Sequence, residues 1–270
     1  MALNFDLNSL FEPALLSDEP WWSYILGGAG WTVALMLTSF ALALVLGIIV
    51  GTLRTSQNKF LSTICEVWIE TFRNIPLIVQ IFVWFFVVPE FIPWYKDWMN
   101  TVDPVYSQFL TAFICMGFFT SSRVAEQVRA GIASVPKGLP NAAKALGFTP
   151  IQTYVYVILP LAMRLIVPPL TSEAMNLVKN TAVALTIGLP ELTMRANEMG
   201  ENTFQFFAAY IWATIIYIVI ATTSCASSRK RAPFPASSLP SKRGDKRCLI
   251  FPRLRIPGPT FSKASSTQSN

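Results

Sequence analysis

The sequence predicts an all-α integral membrane protein with about five transmembrane helices and one further, partly embedded segment. Three observations carry that expectation. Hydrophobic residues make up 53% of the chain and charged residues only 13%. The apolar residues fall in long blocks instead of alternating with polar ones. From Gly27 to Leu53 there is no charged side chain at all, and a helix needs about 20 such residues to cross roughly 30 Å of hydrocarbon.

The elements follow in order. Residues 1–26 carry Asp6, Glu12, Asp18 and Glu19 but no Lys or Arg. A secretory signal begins with a positive region, so this segment is not one. Trp21, Trp22 and Tyr24 then read as an interfacial aromatic anchor ahead of the first span. Further apolar blocks lie at 67–88, 105–120, 151–167, 174–189 and 204–221. Trp94, Tyr95 and Trp98 repeat the aromatic pattern between the second and third.

Lys and Arg in the short connections set the orientation. Arg54 and Lys59 follow the first span, and Arg123, Arg129, Lys137 and Lys144 lie between the third and fourth blocks. The alternate connections hold only Lys96 and Arg195, outnumbered by Glu90, Asp97, Asp103, Glu191, Glu198 and Glu201. This asymmetry places the N-terminus outside and residues 123–152 in the cytoplasm.

The net charge of +6 comes entirely from the end of the chain. Residues 222–270 hold ten of the 21 basic residues and a single acid, Asp245, together with ten Ser and six Pro. Such a composition cannot bury enough apolar surface to offset its ordering entropy, so the segment is expected to be a disordered tail beyond a transmembrane domain of residues 27–221. Its abrupt start at Thr222 also fits a reading-frame shift. The basic excess is therefore no sign of nucleic-acid binding.

Several chemistries have no residues to perform them. The chain has no histidine, which removes the usual general base and the commonest metal ligand. Cys65, Cys115, Cys225 and Cys248 form no C-x-x-C pair, and the first two, in apolar blocks, read as small buried hydrophobes. No phosphate-binding G-x-x-x-x-G-K-[ST] loop occurs. If ATP drives this protein, another polypeptide hydrolyses it.

The loop 134–160 is the most informative stretch. Val135-Pro136-Lys137-Gly138 is a turn. Pro140 then opens a short Ala-rich helix, Asn141-Ala142-Ala143-Lys144-Ala145-Leu146, and Gly147 ends it as a left-handed cap. Thr149, Pro150 and Gln152 start the next helix with a capping box. Three alanines leave little side-chain bulk, so another protein's groove could approach this helix closely; a plain surface loop would be richer in Ser, Asp and Lys.

These residues resemble the cytoplasmic coupling loop of binding-protein-dependent ABC importers, which reads Glu-Ala-Ala, three residues, Gly, nine residues, Ile, one residue, Leu-Pro. Here Asn141, Ala142, Ala143, Gly147, Val157, Leu159 and Pro160 stand at those spacings, with Asn for Glu and Val for Ile. The segment Glu70-Thr71-Phe72-Arg73-Asn74-Ile75-Pro76-Leu77-Ile78-Val79-Gln80 resembles the second-span signature of the polar amino-acid branch. Arg164 through Leu192, with Pro168-Pro169-Leu170, Glu173 and Lys179-Asn180-Thr181, is similar to glutamate/aspartate permeases. The resemblance implies a type I importer permease in the bacterial inner membrane. It implies as partners a homologous or identical permease subunit, two ATPase subunits holding ATP and Mg²⁺, and an external solute-binding protein. It implies no cofactor on this chain. Asn141, Ala142, Ala143, Gly147, Leu159 and Pro160 would then engage the ATPase.

Ionisable residues inside spans are costly and commonly face a cavity or a partner. Glu70 and Arg73, three apart, are placed to pair with each other. Glu173 and Lys179 are six apart and fall on different faces of a straight helix. If Pro168 and Pro169 break the helix, Glu173, Lys179, Asn180 and Thr181 line a polar path, with Lys179 suited to a substrate carboxylate; otherwise each pairs with another helix. A passive channel or membrane scaffold fits the composition equally well, but neither needs an Ala/Gly docking helix.

Overall fold

The computed structural model describes Leu10, Pro13 and residues 20–56, 58–136 and 138–231, the last seven by backbone alone. Most of the expected N-terminal segment, Lys137 and the whole of residues 232–270 lie outside the described residues. The described residues form α1 (Trp21–Arg54), α2 (Lys59–Asn74), α3 (Leu77–Phe91), α4 (Pro93–Thr101), α5 (Pro104–Ala133), α6 (Gly138–Ala145), α7 (Pro150–Ile187), α8 (Leu192–Thr203) and α9 (Phe206–Arg231), with no β-strand among them.

The bundle is organised around α5. α1, 34 residues and therefore about 51 Å long, packs along it through small residues four apart: Ser39, Ala43, Gly47 and Gly51, all buried. A Cβ at Gly47 would run into Val124 and the Ser121 carbonyl, and one at Gly51 into the Ala125 carbonyl and Val128. Glycine is what lets the two backbones come this close. One core gathers Leu35, Met36, Leu77, Ile81, Met116 and Leu177 around the middle of α5, and another packs Val124 and Val128 on Ala162 and Ile166 of α7.

Among the described residues, three helices are long and apolar enough to cross a membrane: α1, α7 and α9 up to Ser224. The pair α2–α3 passes the same test as a broken span. α5, with 30 residues, does not pass that test but is the fifth long element of the bundle, and its lower hydropathy has a structural cause. It faces protein on most sides, so Ser107, Thr111, Ser121 and Ser122 are buried within the bundle instead of facing lipid. Their hydroxyls bond to its own carbonyls; Ser121 and Ser122 donate to Phe118 and Phe119 at 2.7 Å. α8 is the additional short segment.

The expected spans need correction in three places. The second block is not straight, because α2 and α3 meet at 101°. Ile75, before Pro76, is extended (φ −85°, ψ 129°), as steric conflict with the proline ring requires. Buried Gln80 fills the break, its amide donating to the carbonyls of Phe72 (2.8 Å) and Ile75 (2.9 Å). The blocks at 151–167 and 174–189 are one helix, and Pro168 and Pro169 do not break it. The two prolines remove backbone donors to the carbonyls of Arg164 and Leu165, but the buried neighbours Ala162 and Ile166 hold the turn against α5. The departures from α geometry come instead at Tyr154–Ile158, a π turn, and at Thr181–Ile187, a 3-10 stretch.

The third correction concerns the domain end. α9 continues past residue 221 to Arg231. Thr222, Thr223 and Ser224 would interrupt an apolar pattern, but their hydroxyls fold back onto the carbonyls of Ile218, Val219 and Ile220 at 2.7–2.8 Å. Side chains that hide their own polarity in this way keep a helix going where composition alone reads a break.

Candidate functional site: the loop helix and the polar interior

The α6 loop is built from local hydrogen bonds. Gly147 has φ +84°. The Phe148 N–H donates to the Ala143 carbonyl (3.1 Å) and the Gly147 N–H to that of Lys144 (3.0 Å), the paired bonds of a Schellman cap. Two residues on, the Thr149 hydroxyl accepts from the Gln152 N–H (3.3 Å) and the Gln152 side chain from the Thr149 N–H (2.9 Å), so the expected capping box is present. Cap and box follow each other directly, the one ending at Phe148 and the other beginning at Thr149.

On α6 only Ala143 is buried; Asn141, Ala142 and Gly147 are exposed. Leu146 is 77% exposed and Ile151 76%, with Leu139 and Phe148 also open. Large apolar side chains held this far out by rigid caps form a surface that a protein partner can bury. Leu159 and Pro160 lie in α7 just after the π turn, both exposed.

A charged cluster ties α1 to α2 and α5 at the C-terminal end of α1. Arg54 donates to Glu126 of α5 and, at 3.0 Å, to Glu66 of α2. Arg129 pairs with Glu126 at 2.6 Å. Glu126 and Arg129, three apart on α5, meet here, whereas Arg123 turns to Glu173 of α7. Glu70 and Arg73 are both exposed, and no ion pair joins them among the described residues.

The intramembrane residues separate into two groups. Glu173 accepts from the Gln127 amide (3.1 Å) and sits 3.8 Å from an Arg123 guanidinium nitrogen; the Arg123 side chain also covers the Phe119 ring. Its partners are thus on α5, not on its own helix. Lys179 is exposed, and no described carboxylate pairs with it; Asn180 beside it is half-buried. Thr181 is fully buried, and its hydroxyl donates to the Val178 carbonyl (2.7 Å).

Sequence reasoning counted Glu191, Arg195 and Glu198 as charges of an external connection. Of these, Glu191 is fully buried. One carboxylate oxygen caps α8 by accepting from the Met194 N–H (2.9 Å). The other accepts from Tyr217 of α9 (2.8 Å) and Thr32 of α1 (3.4 Å). The Thr32 hydroxyl in turn accepts from the Leu192 N–H (3.1 Å). The only sequence signal was Glu three residues after Gly188 and just ahead of a helix, an N-cap position.

A bundle of five long elements, with a doubly capped apolar loop helix at one end and few charges inside, has the build of the membrane-spanning part of a transport system. The chain belongs to the family of binding-protein-dependent transport system inner membrane components, whose profile matches residues 43–229. It is 40% identical over 225 residues to the glutamate/aspartate import permease protein GltJ of Escherichia coli (strain K12), covering 82% of this chain and 90% of that one. It is 34% identical to the L-cystine transport system permease protein TcyB of Bacillus subtilis (strain 168), over 79% of this chain and 90% of the relative. Identity is 31% to the probable glutamine ABC transporter permease protein GlnP of the same organism, over 74% and 88%. Among solved structures, one described as an amino acid ABC transporter with histidines superposes with a TM-score of 0.69 at 26% identity, covering 78% of this chain and 94% of that one. The inward-facing MetNI methionine ABC transporter shares the fold, with a TM-score of 0.61 at 22% identity over 77% and 96%. This chain is the permease component of an amino-acid ABC transporter.

Proposed function

We propose that the importer takes up acidic amino acids, glutamate and aspartate. The observation that carries this reading is the 40% identity to a permease of that specificity across 90% of its length. Lys179 supports it: an exposed cation with no described carboxylate partner, next to the half-buried Asn180, offers charge to a substrate that is net negative. In this reading Glu173, Lys179 and Asn180 belong to the translocation path and Thr181 only shapes it.

The chain sits in the bacterial inner membrane with its N-terminus outside, beside an identical or homologous permease subunit. Two ATPase subunits, which bind ATP and Mg²⁺, dock on Asn141, Ala142, Ala143 and Gly147 of the α6 loop and on its exposed Leu146 and Ile151. Leu159 and Pro160 carry the push from that loop into α7. An external solute-binding protein delivers the substrate. A second reading, uptake of glutamine or cystine, is favoured by the similarity to the cystine and glutamine permeases.

Uptake into vesicles by the assembled importer separates the two. Labelled glutamate and aspartate are expected to accumulate on ATP addition, with glutamine, cystine and arginine competing poorly. Lys179→Ala is expected to slow glutamate uptake more than Lys96→Ala, since Lys96 is tied to Glu90 at 2.7 Å. Preferred uptake of glutamine or cystine would establish the second reading.

A further inference from the structure

α8 runs antiparallel to the first third of α1 and meets it in two rows. One row is apolar: Leu192, Ala196 and Met199 pack with Ile25 and Ala29. The other is polar and pairs in reverse order along the two helices. Glu191 takes the Thr32 hydroxyl. Arg195 donates to the carbonyls of Pro190 (3.4 Å) and Tyr24 (3.3 Å), and its guanidinium lies 3.9 Å above the Tyr24 ring. Glu198 takes the Tyr24 hydroxyl. Spacings of three and four put Glu191, Arg195 and Glu198 on one stripe of α8 and Tyr24, Gly28 and Thr32 on one stripe of α1.

We infer that this seam is a permanent clamp, and that Glu191, Arg195 and Thr32 are positioning residues that hold α8 to α1 through the whole transport cycle. Two features argue against a latch that opens. Glu191 is fully buried, and withdrawing α1 and α9 would take from its carboxylate the hydroxyl donors of Thr32 and Tyr217. The approach is also too close for sliding: a Cβ on Gly28 would lie 3.0 Å from the Glu191 carbonyl oxygen and 3.0 Å from Arg195 Cγ. With α8 fixed, movement of α7 has to be absorbed before Gly188. The 3-10 stretch Thr181–Ile187 lies there, and such a stretch within a long helix commonly serves as a hinge. The clamp therefore anchors the far side of the hinge that begins next to Lys179 and Asn180. The inference rests on the chain acting as an ATP-driven permease.

The test uses the assembled importer in vesicles, in a background with the four native cysteines replaced by alanine and carrying Ala29→Cys with Ala196→Cys. Both positions already carry a Cβ and pack in the same apolar cluster, so Gly28 and the polar row stay intact. After oxidation, uptake is expected to stay within roughly twofold of the same preparation reduced with dithiothreitol, since a link present in both end states shifts neither. A loss of uptake on oxidation that dithiothreitol restores would show that the seam opens, and failure of the pair to crosslink would show that α8 does not sit on α1; either overturns the clamp. Thr32→Val, which removes the hydroxyl and keeps the shape, is expected to lower the amino acid moved per ATP hydrolysed several-fold, with Thr32→Ser restoring it. A merely structural role would reduce the amount of folded protein and leave that ratio unchanged, and an unchanged ratio would count against positioning. If the importer without any substitution moves no amino acid, it is the transport reading that fails and not the clamp.

Discussion

The α6 loop and the seam between α1 and α8 are both rigid and both capped by side chains, but they are assembled from opposite kinds of contact. Every bond that shapes the loop joins residues three to five apart: Gly147 to Lys144, Phe148 to Ala143, Thr149 to Gln152. Every bond across the seam joins parts of the chain far apart in sequence, Thr32 to Glu191 and Tyr24 to Glu198 among them. The loop pushes large apolar side chains outward, whereas the seam draws charged ones inward. Local bonding makes a surface whose shape does not depend on the rest of the protein, which suits a part that another subunit must recognise. Long-range bonding makes a joint whose shape depends on three helices at once, which suits a part that must stay fixed while others move.

Substitutions can break this contrast at either end. The largest effect is expected from Gly147→Leu. A branched residue at φ +84° is disfavoured by about 1–2 kcal/mol, and its side chain would project beside the exposed Leu146. Uptake is expected to be lost together with ATPase association, measured by co-purification; retention of both would mean that the loop is not where the ATPase docks. Next is Glu191→Ala, which takes the acceptor from Tyr217, Thr32 and the Met194 N–H at once. Stranding buried donors costs about 1–3 kcal/mol each, so a clear drop in melting temperature in detergent is expected, while Glu201→Ala at an exposed position of the same helix is expected to change little. Equal effects would dissolve the distinction between seam and surface. The smallest is Thr149→Ala, which removes one half of the capping box and is expected to cost about 1 kcal/mol. Because the Schellman bonds remain, this should appear as faster proteolysis of the loop with uptake largely retained.

The same contrast explains what could be read from the sequence. Gly147, Thr149 and Gln152 were legible because caps are short-range and each has a residue preference. The crossing helices were legible as apolar blocks, although the elbow at Ile75–Pro76 needed Gln80 to be seen filling it, and Pro168–Pro169 looked like a break that packing prevents. The hydroxyls of Thr222, Thr223 and Ser224 look polar in a sequence and are self-satisfied in a helix. The burial of Glu191 was missed for a further reason. Charge counting assigns an ionisable residue to the solvent, and only the arrival of Thr32 and Tyr217 from elsewhere in the chain makes burial affordable. Of the substrate-path residues, Glu173 was recognisable as an intramembrane charge, but its partners Arg123 and Gln127 on α5 were not.

The outward-facing apolar patch on the loop also bears on how many copies of this subunit survive. Leu146 and Ile151 are each about three-quarters exposed, and their caps keep them from folding back. A copy made without its complement therefore keeps sticky side chains in water, the kind of feature that chaperones hold and proteases cut. Under the proposed docking of the ATPase on this loop, assembly would bury the patch and remove the target. Stoichiometry between subunits can thus be enforced after synthesis by which copies get covered.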